Sequence, residues 1–381
     1  MEKRILFISH YSELYGANRS LLTLLEYFNK RADYVIRLLV PSNGNLVKEL
    51  KTKDIGYEII PYISQLWYYK LNIKYLIQPF LILFTIVMLP YIVYRVHRFK
   101  PDIIYSNTSA ENMGILIAKI LGVKHISHIR EFMDLDFSAR FIGGNKLKRK
   151  YINMSDGIIY VSQSLANWVN NNKPLSSNQI VIYNGLHINN VIPNKTLKDG
   201  RPINLGIVGI FDQAKGQHIA IEYFYSLLSV MPSAVLHLYG DKKCKYKQRL
   251  YTLVEELDIK SRVIFHGFVK DPAAIYKEMD ALLMFSRMEG FGRVTVEAMQ
   301  YGTPVIGYNS GGTTEIIIPG KNGYLFDDEK QFIEVVNELF SSSTKYKEMS
   351  MNAYVDSCER FSVEKYCNTV EQFVYNIISS S

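Results

Sequence analysis

Residues 285–300 read FSRMEGFGRVTVEAMQ, from Phe285 to Gln300. The stretch follows the apolar run Ala281–Met284, so it closes a buried strand, bends through Gly290 and Gly292, and opens a helix. A strand-to-helix turn of this kind offers free backbone N–H groups and the positive end of a helix dipole, which suits a phosphate. Glycine lets the backbone bend sharply and approach a ligand closely. Two carboxylates bracket the turn. Glu289 stands at its mouth, and Glu297 sits just inside the helix, where a carboxylate can accept two hydrogen bonds from a vicinal diol such as a ribose. An acid and a glycine turn are also ordinary features of helix starts, and spacing alone leaves both readings open.

The same grammar recurs on either side. Residues 204–224 read as strand, glycine turn and helix, with Gly209 in the turn and Lys215-Gly216 at the helix start, where an ammonium can face a departing diphosphate. A lysine there can equally be just exposed. Downstream, Gly311, Gly312 and Thr313 make another glycine turn before a helix, and Asn322-Gly323 reads as a hairpin-type turn. In the first half, short apolar strands (ILFIS, VIRLLV, DIIYSN) alternate with helical patterns. Such alternation predicts α/β architecture with parallel sheets. The chain's 381 residues exceed one typical core, so two domains are expected.

Charge divides unevenly. Residues 1–190 carry 23 Lys and Arg against 13 Asp and Glu, whereas residues 191–381 carry 21 against 23. The basic half should face something anionic: lipid, a lipid phosphate or nucleic acid on charge alone. No nucleic-acid reader motif accompanies it. The three cysteines, Cys244, Cys358 and Cys367, show no metal-ligand spacing and suggest reduced thiols in the cytoplasm. From Tyr75 to Tyr94 no charged residue occurs, and basic residues flank the run. That length suits a membrane span, but a span would split a soluble α/β domain; a buried helix and a surface-lying, membrane-dipping segment are the alternatives, and the second is favoured. Pro79 and Pro90 fall within the run and should interrupt a simple helix.

Other residues carry weaker signals. Gly16 lies between the first strand and first helix, and Arg19 follows it. His128, Arg130 and Glu131 cluster at a strand's C-terminal end, where open α/β sheets hold ligands; Arg130 could pair with Glu131 or touch a phosphate. The triplet Asp134-Leu135-Asp136 reads as incidental, and the basic run Lys146, Lys148, Arg149, Lys150 reads as a solvated helix face or a lipid contact.

The E-x7-E pattern from Glu289 to Glu297, with GFG and VEAM inside it and YGTPVIGYNSGGTTEI after it, resembles the donor-site signature of retaining glycosyltransferases of family 4, of the bacterial surface-polysaccharide type. The resemblance implies the GT-B fold: two Rossmann-like domains facing across a cleft, with the last helix crossing back to the first domain. The corresponding spans are 1–190 for the acceptor domain (including the apolar run 75–94), 202–360 for the donor domain and 361–381 for the crossing helix. It further implies that Glu297 holds the nucleotide ribose and that Glu289 lies near the donor sugar and diphosphate. Gly290, Phe291, Gly292, Arg293, Gly312 and Thr313 would line the donor phosphates, with Gly209 and Lys215 opposite them and Gly267-Phe268 at the nucleobase. His128 would contact the donor sugar, so His128, Lys215 and Glu289 are the catalytic candidates; Gly16, Arg19 and Arg130 are the acceptor-side candidates. The family's arginine before Lys215 is replaced by Ile210, so Arg293 is a candidate substitute.

The expected activity is therefore transfer of a sugar, with retention, from a nucleoside-diphosphate sugar to a membrane-associated, lipid-linked or saccharide acceptor. The resemblance and the charge split together imply no metal or other cofactor, no nucleic acid, and a cytoplasmic enzyme on the inner face of the membrane. A sugar-nucleotide epimerase or hydrolase of the same fold, or a non-catalytic nucleotide-sugar binder, are the alternatives.

Overall fold

The computed structural model describes residues 2–63, 66–68, 74–132, 139–141, 143–188, 192–197, 200–241 and 244–380. The Asp134–Asp136 triplet and part of the expected linker, 189–191 and 198–199, lie outside them. The chain forms two units: Met1–Gly185 with Val363–Ser381, and Leu186–Ser362.

Unit 1 contains β1 (Lys3–Ile8), β2 (Tyr34–Val40), β3 (Tyr57–Ile59), β4 (Leu66–Tyr68), β5 (Ile103–Ser106), β6 (Lys124–Ile129), β7 (Ala139–Phe141), β8 (Gly157–Tyr160) and β9 (Gln179–Val181). Seven of them make one sheet in the order β3-β2-β1-β5-β6-β8-β9, and β4 pairs with β7. The pairings in the large sheet are parallel, as in β1 with β5 through Ile5 and Ile103. Its central strands are buried on both faces; all four residues of β5 are buried, and β6 (KHISHI) buries His125, Ser127 and His128 among its apolar residues. The helix Gly16–Asn29 lays Leu21, Leu24, Leu25 and Phe28 on one face of this sheet. The C-terminal helix Val363–Ser379 adds Tyr366, Cys367, Val370, Phe373, Val374 and Ile377 to the same core. Each such side chain contributes roughly 1.5–3 kcal/mol on burial, which fixes the last helix firmly in unit 1.

The apolar run lies in one helix, Lys74–Phe99, with Pro79 and Pro90 inside it rather than at its ends. Its last turns are anchored: Ile92, Val96 and Phe99 are buried with Leu6, Ile104 and Ile117. Phe80, Leu83, Phe84, Val87 and Tyr91 ahead of them, and Tyr94 between Ile92 and Val96, are exposed, so the buried-helix alternative does not hold for this part. By length and composition the helix could cross a membrane. Crossing would pull Ile92, Val96 and Phe99 out of that core.

Unit 2 holds β10 (Asn204–Val208), β11 (Val235–Tyr239), β12 (Val263–Gly267), β13 (Ala281–Met284), β14 (Val305–Tyr308) and β15 (Gly323–Phe326) in the order β12-β11-β10-β13-β14-β15. The order reverses between β10 and β13, which pair in parallel through Leu205–Ala281 and Gly206–Leu282. Open α/β sheets bind ligands outside the carboxyl ends of strands at such a reversal. Asn322-Gly323 is not a hairpin turn. Gly323 begins β15, parallel to β14, and the Asn322 side chain is buried, bonded to the Ile318 amide, the Ile316 carbonyl and Asp356.

Candidate donor site at the strand-order reversal of unit 2

The loops after β10 and β13 meet where the order reverses. After β10, Gly209 leads to a short 3-10 turn, Gln213–Lys215, capped by the Asp212 side chain on the Ala214 amide. The turn ends at Gly216, with φ +69°. A Cβ on Gly216 would lie 2.5 Å from the Phe285 carbonyl oxygen, so only glycine lets this turn rest on the end of β13. That close approach carries Lys215 to Glu289: its Nζ donates to a Glu289 carboxylate oxygen at 2.7 Å.

After β13 the chain bends through Gly292 (φ +94°) into the helix Arg293–Gln300, whose N-cap makes no side-chain hydrogen bond. The loop after β14 packs directly on this bend. The Gly312 amide donates to the Glu289 carbonyl at 2.8 Å, and a Cβ on Gly312 would come 2.8 Å from the Gly290 carbonyl oxygen. Two glycine loops thus interlock backbone to backbone. Glu297 lies one helical turn on; its carboxylate is 3.6 Å from Arg293 and 3.4 Å from the Tyr276 hydroxyl. Burial, then the Glu297 charge, push the Tyr276 hydroxyl well above its ordinary pKa, so it remains a donor to that carboxylate.

Not every expected donor residue presents its side chain. Phe291 is buried with its ring 5.6 Å from that of Phe361, and the Thr313 side chain is buried too, which leaves their backbone groups as the available contacts. Phe268 is exposed beside Gly267, whose φ is +73° and whose missing Cβ would meet open space. Ile210 is also exposed. Gly240, not singled out in the sequence, ends β11 with φ +138° and would place a Cβ 1.9 Å from the Gly209 carbonyl oxygen. Gly209, Gly240 and Gly267 therefore terminate three neighbouring strands in backbone that favours glycine. The signal was there, one glycine after each apolar strand, but a lone glycine says little before strand order is known.

In unit 1 the strand-end cluster is assembled differently from the expectation. His128 is fully buried; its Nδ1 receives the Tyr105 hydroxyl at 2.5 Å and the Arg130 Nη2 at 3.1 Å. Burial, then the Arg130 charge, hold it neutral with a pKa well below the ordinary histidine range. With Nδ1 accepting, Nε2 carries the proton, and it is buried with no hydrogen-bond partner. Arg130 is not within ion-pair distance of Glu131; its guanidinium is bonded to other groups of unit 1. Its Nε donates to the Asn107 carbonyl and side chain, Nη1 to Asn184 at 2.6 Å, and Nη2 to His128 and to the Tyr366 hydroxyl at 3.0 Å. Glu131 instead accepts from the Ser109 amide at 3.1 Å, and burial raises its pKa. Gly16 and Arg19 are exposed at their helix start, and Arg19 Nε donates to the Leu14 carbonyl. Within the basic run Lys148 is buried 5.7 Å over the Trp168 ring rather than solvated, because its helix turns that face inward. Among the described residues no three His, Cys, Asp or Glu side chains gather as a metal site.

Two doubly wound parallel sheets, with glycine turns, a lysine and two glutamates at the strand-order reversal of the second, define a GT-B glycosyltransferase. The chain belongs to that class: residues 15–190 match Glycosyltransferase Family 4, and residues 189–356 match Glycosyl transferases group 1. It is 29% identical over 279 residues, 69% of this chain and 72% of the relative, to an uncharacterized glycosyltransferase, MJ1178, of Methanocaldococcus jannaschii. It is 32% identical over 177 residues to a lipopolysaccharide 1,6-galactosyltransferase of Salmonella typhimurium, covering 44% of this chain and 47% of that protein. A 35% match to spore coat protein SA of Bacillus subtilis spans 36% of this chain and 39% of that one. The chain thus spans less than half the length of these last two relatives. In structure it is similar to Anabaena HepE, solved in complex with UDP (TM-score 0.80, 21% identity, 99% of this chain and 100% of that one).

Proposed function

We propose that this chain transfers a sugar from a nucleoside-diphosphate sugar to a saccharide acceptor in surface-polysaccharide synthesis. The observation that carries the reading is the Lys215–Glu289 contact at the reversal between β10 and β13, with Glu297 one turn into the helix that follows. The ribose is held by Glu297. The diphosphate lies against the Lys215 ammonium and the amides after Gly290 and Gly311, where fixed donors stabilise charge as it develops on the leaving group. The relatives and neighbours support this: one is named a lipopolysaccharide galactosyltransferase, and HepE was solved with UDP and with UDP-glucose.

Transfer proceeds with retention. The acceptor hydroxyl oxygen bonds to the anomeric carbon on the face the diphosphate leaves, the anomeric C–O bond to phosphate breaks, and the leaving phosphate oxygen takes the hydroxyl proton. Lys215 supplies the neutralising charge without a metal ion. A thermal-shift panel of nucleoside diphosphates and their sugars, with and without EDTA, tests donor and metal together. Stabilisation by one nucleotide series, unchanged by EDTA, is expected; no stabilisation by any of them would overturn the reading. The anomeric configuration of the product, read by NMR, tests retention.

The acceptor is membrane-associated, and unit 1 lies on an anionic surface through the helix Lys74–Phe99. Phe80, Leu83, Phe84, Val87, Tyr91 and Tyr94 recur at three- and four-residue steps and are all exposed. Arg98 follows the stripe within the same helix, where it suits a lipid headgroup, while Arg95 beside it is ion-paired with Glu58 at 2.8 Å.

A further inference from the structure

The chain passes between its two units twice, at Gly185–Leu186 and at Ser362–Val363. On the unit 2 side the passages are paired: Leu186 and Ser362 form a parallel bridge, and the Leu186 amide donates to the Phe361 carbonyl at 2.9 Å. On the unit 1 side both end on one guanidinium. Asn184, two residues before Leu186, accepts from Arg130 Nη1 at 2.6 Å, and the Tyr366 hydroxyl, three residues after Val363, accepts from Nη2 at 3.0 Å.

We propose that Arg130 is a positioning residue for the transfer reaction, pinning both interconnecting segments to the end of β6. Its planar fork is suited to this. Three nitrogens reach four side chains and a backbone carbonyl in fixed directions, which a lysine could not do. Its hydrogen-bond partners are all neutral, Asn107, Asn184, Tyr366 and His128, while the buried Glu131 carboxylate acts on it electrostatically without bonding to it. Charge-assisted hydrogen bonds in such a setting are strong, and loss of one partner leaves buried donors unmet. The Asn107 side chain carries the network on to Asn18 at the start of the first helix. The first glycine loop and both passages therefore share one set of bonds.

The kinetic half of the test rests on the transferase reading; the exchange half does not. Tyr366→Phe removes only a hydroxyl from the second passage. If Arg130 couples the two, amide hydrogen exchange over 182–187, in the first passage, should accelerate roughly tenfold, as it would for Asn184→Ala, and the two changes should be non-additive when combined. Acceleration confined to residues near 366 overturns the proposal. In turnover assays Arg130→Lys should lower kcat while affinity for UDP, the probe used for the donor site in unit 2, stays at the wild-type value. A matching loss of UDP affinity would mark a general folding defect and overturn the positioning role, as would an unchanged kcat. Should Arg130→Lys fail to fold, Tyr366→Phe carries both measurements. A wild-type chain without transfer activity sinks the transferase reading alone, and the exchange result still decides the coupling.

Discussion

Lys215 and Glu289, 74 residues apart in sequence, are joined by a 2.7 Å ion pair that spans the strand-order reversal of unit 2. Both side chains are partly exposed, 35% and 17%, so the pair adds under about 1 kcal/mol to stability. Stability and activity should therefore separate at this position. Lys215→Met is expected to leave the melting temperature nearly unchanged and to lower kcat by about 10²–10³-fold, the usual loss of one fixed group facing developing negative charge. Comparable losses in both would show the lysine to be structural.

Glu297 should act on the ribose. Glu297→Gln removes a charged acceptor from a diol, worth roughly 1.5–3 kcal/mol, or about tenfold or more in affinity for the nucleoside diphosphate that binds. A dideoxyribose analogue sharpens the measurement. Wild-type protein should discriminate against it by calorimetry, and the variant should bind both forms alike.

Two glycines with nearly the same φ should respond differently to alanine. At Gly267 (φ +73°) the new methyl would meet open space, so Gly267→Ala should cost only the left-handed backbone penalty, about 1–2 kcal/mol. At Gly216 (φ +69°) the methyl would sit 2.5 Å from the Phe285 carbonyl oxygen, forcing the Lys215 turn off β13. Gly216→Ala should destabilise clearly more in urea titration and also lower nucleotide-dependent stabilisation.

The buried histidines of unit 1 should make the protein sensitive to acid. Burial lowers His10 and His125 to about 3 and holds His128 well below its ordinary value. These imidazoles are neutral in the fold, whereas the unfolded chain takes up protons near pH 6.5. Their contribution is complete above that value and is lost as pH falls through the window from 6.5 toward 3. Each adds a slope of about 1.4 kcal/mol per pH unit. Urea midpoints at pH 7 and pH 5 check this. Burial raises Glu111 and Glu131, which act in the opposite direction, so the imidazole protonation states should be read directly by NMR, and a histidine protonated in the fold at pH 5 would overturn the prediction.

The exposed stripe of the long helix should drive membrane binding. Leu83→Ser with Val87→Ser should reduce co-flotation with vesicles rich in anionic phosphatidylglycerol, while Ile92→Ser, whose side chain is buried in unit 1, should instead destabilise the protein. Equal flotation of the stripe variant and wild type would remove the membrane role of this helix.

Much of this was legible in the chain. Alternating apolar strands and helices specified parallel sheets, because strands buried on both faces are mostly continuous apolar runs. The turn from Glu289 to Glu297 was equally plain, because the residues that shape it are neighbours in sequence. Other assignments needed the fold. His128 and Arg130 stand at a strand end as expected, yet both face inward, because the C-terminal helix brings Tyr366 over that end. Asn322-Gly323 carries a turn signature, but Asp356, on a helix beginning 21 residues later at Ser343, makes Asn322 a buried lock.

Local sequence thus determined which segments become strands, helices and glycine turns, since backbone propensity and apolar period act over a few residues. Tertiary structure decided which polar groups are buried: Arg130, His128 and Lys148 inside, the stripe from Phe80 to Tyr94 outside. Burial depends on what a distant segment brings over a surface, and no short-range pattern encodes that.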